Sequence, residues 1–197
     1  YHEHLDYHAL FPISKFLKKF ELYLFNFKIT EAQGGSLRIY ASKNYKTTNQ
    51  KKINNQIFKE KNYYKLFNIS TYKKFEKKIN DCKNKLHKIL KNFYKKNYKI
   101  AGYGAAAKTT TLLNYFDLSK NKNIKYIFDD NKLKQDLYLP GTTIKILNPK
   151  HLFYKNLDIL IIFAWNYSDV IIKNINKNKL FKKQNLKFLI PFPNPKI

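Results

Sequence analysis

The segment Gly102-Tyr103-Gly104-Ala105-Ala106-Ala107 constrains this chain more than any other. It follows the short apolar run Ile100-Ala101 and precedes a helical pattern that reaches Tyr115. A G-x-G-x-x-A turn between a strand and a helix belongs to a strand–helix–strand unit, because glycine permits the tight reversal and the helix N-terminus then points its amides outward. The next apolar run, Ile124 to Phe128, supplies the second strand, and Asp129-Asp130 follow it. Further strands are expected at Thr143–Ile146, Asp158–Phe163 and Leu186–Ile190, with a helix near Asp169–Ile175. Such alternation predicts an α/β fold, a Rossmann-like parallel sheet with helices on its faces. Three uses of the turn stay open: NAD binding, with an acid after the second strand; binding of another phosphate, helped by Lys108; or a structural turn only.

The residues before this unit read differently. Ile13, Phe16, Leu17 and Phe20 fall at helical spacing after Pro12. Leu22, Leu24 and Phe27 mark a strand. Beyond Gly34-Gly35, Leu37, Ile39 and Ala41 alternate with polar neighbours as a second, antiparallel strand. One helix and a hairpin are too small for a domain, so residues 1–42 are expected to be the end of a larger sheet. Residues 43–71 are polar and read as a linker. From residue 72 a lysine-covered helix carries an apolar stripe at Phe75, Ile79, Leu86, Ile89, Leu90 and Phe93, and residues 72–197 form the Rossmann-like domain.

The net charge of +26 raises the possibility of a basic, non-catalytic nucleic-acid-binding protein. Composition argues against it. Of 39 basic residues only Arg38 is arginine, the residue best suited to bidentate base and phosphate contacts. Lysine rises with Asn, Ile, Tyr and Phe, all with AT-rich codons, and the charge is spread along the chain. No specific nucleic-acid partner is expected. No run has the ~18 apolar residues of a membrane span, and the lone Cys82 suits a reducing cytoplasm. Nothing in its surroundings makes a metal site or a nucleophile motif.

The chain opens with Tyr1-His2-Glu3-His4, four proton-carrying groups in four positions, and contains no methionine. It therefore reads as a piece of a longer protein. The four groups are either an acid–base site or a set that satisfies its own hydrogen bonds.

Taken in order, YHEH, GGSLRIY, GYGAAAKTTTLLNY, DDNKLKQDLYLPGTTIKI and FAWNYSD resemble the C-terminal portion of the deoxysugar C-methyltransferase family. The resemblance covers nearly the whole chain and is weakest over 43–97. It implies a zinc-binding N-terminal segment outside these residues, a central domain that binds S-adenosylmethionine, and a C-terminal Rossmann-like domain that closes over a nucleotide-diphosphate sugar without using NAD. Residues 1–42 would then be the last helix and strand pair of the methyltransferase sheet, and the chain alone would be inactive. The implied chemistry is methyl transfer to a carbon beside a ketone, where a base must first remove a proton; histidine suits that task. By resemblance His4 is the base or positions it, Tyr1 donates a hydrogen bond to the enolate or relays a proton, and Glu3 orients them. Gly102, Gly104 and Lys108 would face the diphosphate. Asn114 and Asp129 are further substrate-binding candidates, with loop capping the alternative for Asp129. Trp165 and Asn166 follow an apolar strand at its carboxyl end, where open α/β sheets hold ligands, unless Trp165 is core. The sequence departs from the family at Ala106, where proline is usual, and at Thr109-Thr110, where Gly-Asn is frequent. An NAD-binding oxidoreductase module is the main alternative function.

Overall fold

The computed structural model describes residues 6–31, 35–46, 48–119, 123–154, 156–177 and 186–197; for 153 and 154 the description is of the backbone alone. The chain divides into two compact units, with the boundary between Lys77 and Lys78.

The first unit contains α1 (Leu10–Lys18), β1 (Tyr23–Thr30), β2 (Ser36–Ser42), α2 (Gln50–Phe58) and a π-helical turn, Lys59–Tyr63. β1 and β2 pair antiparallel, as the alternation predicts. Leu10, Phe27 and Ile53 form the small core, with Leu24, Leu37, Ile39 and Ile57 packed around it. The expected linker over 43–71 is thus corrected in its middle. Residues 50–63 are helical, and α2 is held to the hairpin by burial of Ile53 and by the Lys52 ammonium, which donates to the Phe27 carbonyl at 2.7 Å.

Helix α3 (Ile69–Lys95) contains the division between the units. Its buried seam is Cys82, Leu86, Leu90 and Phe93. Phe75, placed on that stripe by spacing, is 60% exposed.

The second unit is an all-parallel five-stranded sheet in the order β5-β4-β3-β6-β7. Its strands are β3 (Ile100–Tyr103), β4 (Ile124–Phe128), β5 (Lys145–Leu147), β6 (Ile159–Ile162) and β7 (Lys187–Leu189), with helices α4 (Ala107–Tyr115) and α5 (Ser168–Lys177). Strand alternation sorts the core into two layers. Ile100, Ile127, Ile159, Ile161 and Phe163 join the seam of α3 and the buried face of α4. Ala101, Phe128, Leu160 and Ile162 join Leu152 and Ile175 on the opposite face. Burial on both faces explains the unbroken apolar run of β6.

Candidate functional site

β3 lies between β4 and β6. The chain leaves β3 through α4 towards β4 and later returns on the other side as β6. Connections diverge at the carboxyl ends of β3 and β6, the switch point where open α/β sheets form a ligand crevice.

The glycine turn sits there, and protein atoms explain both glycines. A Cβ on Gly102 would lie 2.7 Å from the Phe163 ring and 2.9 Å from Ile127. Gly102 is therefore a packing position inside β3 and does not face the crevice. Gly104 has φ +95°, and a Cβ there would lie 2.7 Å from the Ala164 Cβ. Its amide donates to Phe128 O at 2.7 Å, so the turn is pinned between the ends of β4 and β6. Thr109, at one of the departures from the family pattern, is fully buried and donates its hydroxyl to Gly104 O at 2.7 Å.

Lys108 stands in the first turn of α4. Its Nζ is 5.0 Å from the centroid of the Trp165 ring, a cation–π approach. Trp165 is half-buried against the core and packs on Phe192 at 5.2 Å. Burial holds the Lys108 ammonium below its ordinary pKa. A cation that has lost part of its hydration gains from an incoming anion. Asn166 follows Trp165 and is exposed. The fold thus brings Gly104, Lys108 and Trp165 together, with Asn166 adjacent in sequence. Asn114 is separate. It lies about 9 Å further along α4, its amide donates to Thr110 O at 2.9 Å, and it borders the Gly141 turn.

Asp129 is turned inward. Its Oδ2 accepts from the Ala105 amide at 2.7 Å and its Oδ1 from the Asn131 amide at 2.8 Å. Lys134, which the sequence reading did not single out, donates from Nζ to Ala105 O at 2.9 Å and lies 4.0 Å from Asp129. Gln135 donates to Asp129 O and accepts from Asn148. The DDNKLKQ segment is therefore a self-bonded loop that grips the glycine turn. The Asp-x-Asn spacing, which favours side-chain-to-backbone turns, was the available signal. Tyr103 was also not singled out, and Asp130 was named only as an acid after the second strand. The Tyr103 hydroxyl donates to Asp130 Oδ2 at 2.7 Å, and burial, reinforced by that bond, raises the phenol well above its usual pKa.

Tyr1, Glu3 and His4 lie outside the described residues. Among the described residues no three His, Cys, Asp or Glu side chains gather as a metal set, and no helix is long and apolar enough to cross a membrane.

The motifs that form this turn and its brace fall inside a family match. The model of the C-methyltransferase C-terminal domain matches residues 31–193. The chain belongs to that family. Comparison with curated proteins gives no match. Among solved structures, the crystal structure of UDP-D-quinovosamine 4-dehydrogenase from Vibrio fischeri is similar at 21% identity. That alignment covers 49% of this chain and 79% of the other, with a TM-score of 0.36. In this C-methyltransferase C-terminal domain, the segments GYGAAAKTTTLLNY and DDNKLKQDLYLPGTTIKI are joined at Ala105, by Asp129 and Lys134, and at Tyr103, by Asp130.

Proposed function

We propose that this chain holds the nucleotide-diphosphate sugar for an S-adenosylmethionine-dependent C-methyltransferase that acts on a keto-deoxysugar. The observation that carries the reading is the half-buried Lys108 over Trp165 at the switch point, in a chain of the C-methyltransferase family. Lys108 pairs with the diphosphate, and Asn166 and the exposed edge of Trp165 border the sugar. Gly104 and Asp129 shape the turn from within.

S-adenosylmethionine, held outside these residues, supplies the methyl group when bound. His4 takes the proton from the carbon beside the ketone. Tyr1 donates a hydrogen bond to the enolate oxygen, and Glu3 orients the pair. The carbanion character left on that carbon makes it the nucleophile for methyl transfer.

Calorimetric titration with a keto-deoxysugar nucleotide, with NAD in a parallel arm, tests the reading. The sugar nucleotide is expected to bind, and Lys108→Ala to weaken it about tenfold, as loss of one charge-assisted contact would. Micromolar NAD binding with no response to the sugar nucleotide would establish the oxidoreductase alternative. His4→Asn in the intact enzyme is expected to slow solvent exchange of the proton beside the ketone by about 10² or more.

A further inference from the structure

We propose that Asp129 is a specificity-determining residue: it occupies, from inside the protein, the amide by which this glycine turn would hold a dinucleotide phosphate. The inference goes beyond the sugar-nucleotide reading and does not depend on it.

The turn has the setting of a dinucleotide site: strand, G-x-G-x-x-A, helix, strand, acid. In such a setting the amides after the second glycine and at the helix start face the phosphates, and the acid after the second strand is free for a ribose. Here the two roles collapse into one contact. Asp129 Oδ2 takes the amide of Ala105, the first residue after Gly104, at 2.7 Å. Its other oxygen takes the Asn131 amide at 2.8 Å. The side chain is only 13% exposed. A carboxylate so placed is a built-in anion. A phosphate at the same amide would have to displace it or sit beside it, against like-charge repulsion in a partly desolvated setting.

The surrounding loop fixes this arrangement. Lys134 Nζ lies 4.0 Å from Asp129 and donates to the Ala105 carbonyl at 2.9 Å, so Ala105 is gripped at both its N–H and its C=O. Gln135 Nε2 donates to the Asp129 carbonyl at 3.0 Å and Asn148 Nδ2 donates to Gln135 Oε1 at 2.9 Å. These bonds fix the backbones of Ala105 and Asp129, and a carboxylate that swung outward would give up the Ala105 and Asn131 amides. Anion recognition therefore moves from the turn to Lys108, one helical step further on. A site that reads phosphate through one lysine beside an indole admits a single diphosphate ester. A dinucleotide whose pyrophosphate must lie on the turn is refused.

The probes are ADP, followed by calorimetry, and NADH, followed by its fluorescence, with the whole chain as protein. Wild type is expected to bind ADP only weakly, through Lys108, and NADH not measurably. Asp129→Ser withdraws the carboxylate and frees the Ala105 amide, and the ADP affinity should rise at least about tenfold. Asp129→Asn keeps the shape and removes the charge, with an expected gain of about threefold; it decides the question if the serine variant does not fold. Lys134→Met loosens the Ala105 carbonyl but leaves the carboxylate in place, and no gain is expected. Three outcomes overturn the proposal: tight NADH binding by wild type, no gain in the folded Asp129 variants, or an equal gain in Lys134→Met, which would mean that loosening the turn suffices. Failure of wild type to bind a sugar nucleotide would remove the proposed function and leave this comparison standing.

Discussion

At Gly104 two separate costs would fall on any side chain. Its φ of +95° is a conformation that L residues enter with strain, and the space where a Cβ would go holds the Ala164 Cβ at 2.7 Å and the Ala164 amide nitrogen at 3.0 Å. Backbone strain of this kind costs on the order of 1–3 kcal/mol, and forced overpacking adds about 1–3 kcal/mol. Gly104→Ala should therefore destabilise the second unit by about 2–6 kcal/mol. Gly141 has φ +71°, but a Cβ there would come no closer than 3.7 Å to the Asn114 amide, whose nitrogen and oxygen are the nearest atoms it would meet. Gly141→Ala should carry the strain alone, about 1–2 kcal/mol. Urea unfolding of the two variants measures the gap, and equal losses would show that the Ala164 contact yields easily. The sequence shows that position 104 needs a glycine but does not say which neighbour demands it. A phosphate approaching the backbone and a second strand crowding it demand the same residue, and only the placement of β6 beside β3 distinguishes them.

Elements buried on two faces were readable and elements held by polar contacts were not. The strands of the parallel sheet announce themselves as apolar runs because each packs both ways. Helix α2 buries only Ile53, so its sequence, QKKINNQIF, gives little apolar period to read. The π-helical turn that follows hides the more telling residue. Glu60 is 3% exposed, and its carboxylate accepts from the Leu10 amide at 2.8 Å and the Phe11 amide at 2.9 Å. It caps α1 from 50 residues away, where the N-cap residue Ala9 has no side-chain acceptor. A buried amide left without its partner costs about 1–3 kcal/mol, so Glu60→Ala should destabilise the first unit by at least that much. Glu60→Gln keeps one acceptor and should cost less. Amide hydrogen exchange provides the check: Leu10 and Phe11 should lose protection in Glu60→Ala, while the amides of β6 keep theirs. Unchanged protection at Leu10 and Phe11 would mean that the cap holds nothing.

For the molecule as a whole, the alternation of strands and helices could be read from the sequence, but the order of strands in the sheet could not. Whether β3 ended at the edge or the centre was decided by which strands found parallel partners, a long-range outcome with no local signature. The central position of β3 is what creates the crevice and sets Lys108 against Trp165. It also separates two kinds of anion binding that a net charge of +26 would otherwise confuse. A polyanion meets many dispersed lysines and releases a counterion for nearly every phosphate it covers, so its affinity falls with a log–log salt slope near 0.9 for each contact. A sugar nucleotide held by Lys108 meets one organised cation, and its slope should stay at about 1 to 2. Titrations of heparin, a random DNA duplex and a keto-deoxysugar nucleotide at 50, 100 and 200 mM salt, values chosen within the range where such slopes are usually read, make the comparison. The two polymers should bind with similar affinity and lose it steeply together. The sugar nucleotide should lose only about 4- to 16-fold over the same range in the wild-type protein, as a slope of about 1 to 2 gives. Lys108→Ala should reduce sugar-nucleotide binding at every salt concentration and leave the polymer slopes nearly unchanged, because one lysine in 39 basic residues is lost from the dispersed field. A sugar-nucleotide slope as steep as that of heparin would place its binding in that field and away from the crevice between β3 and β6.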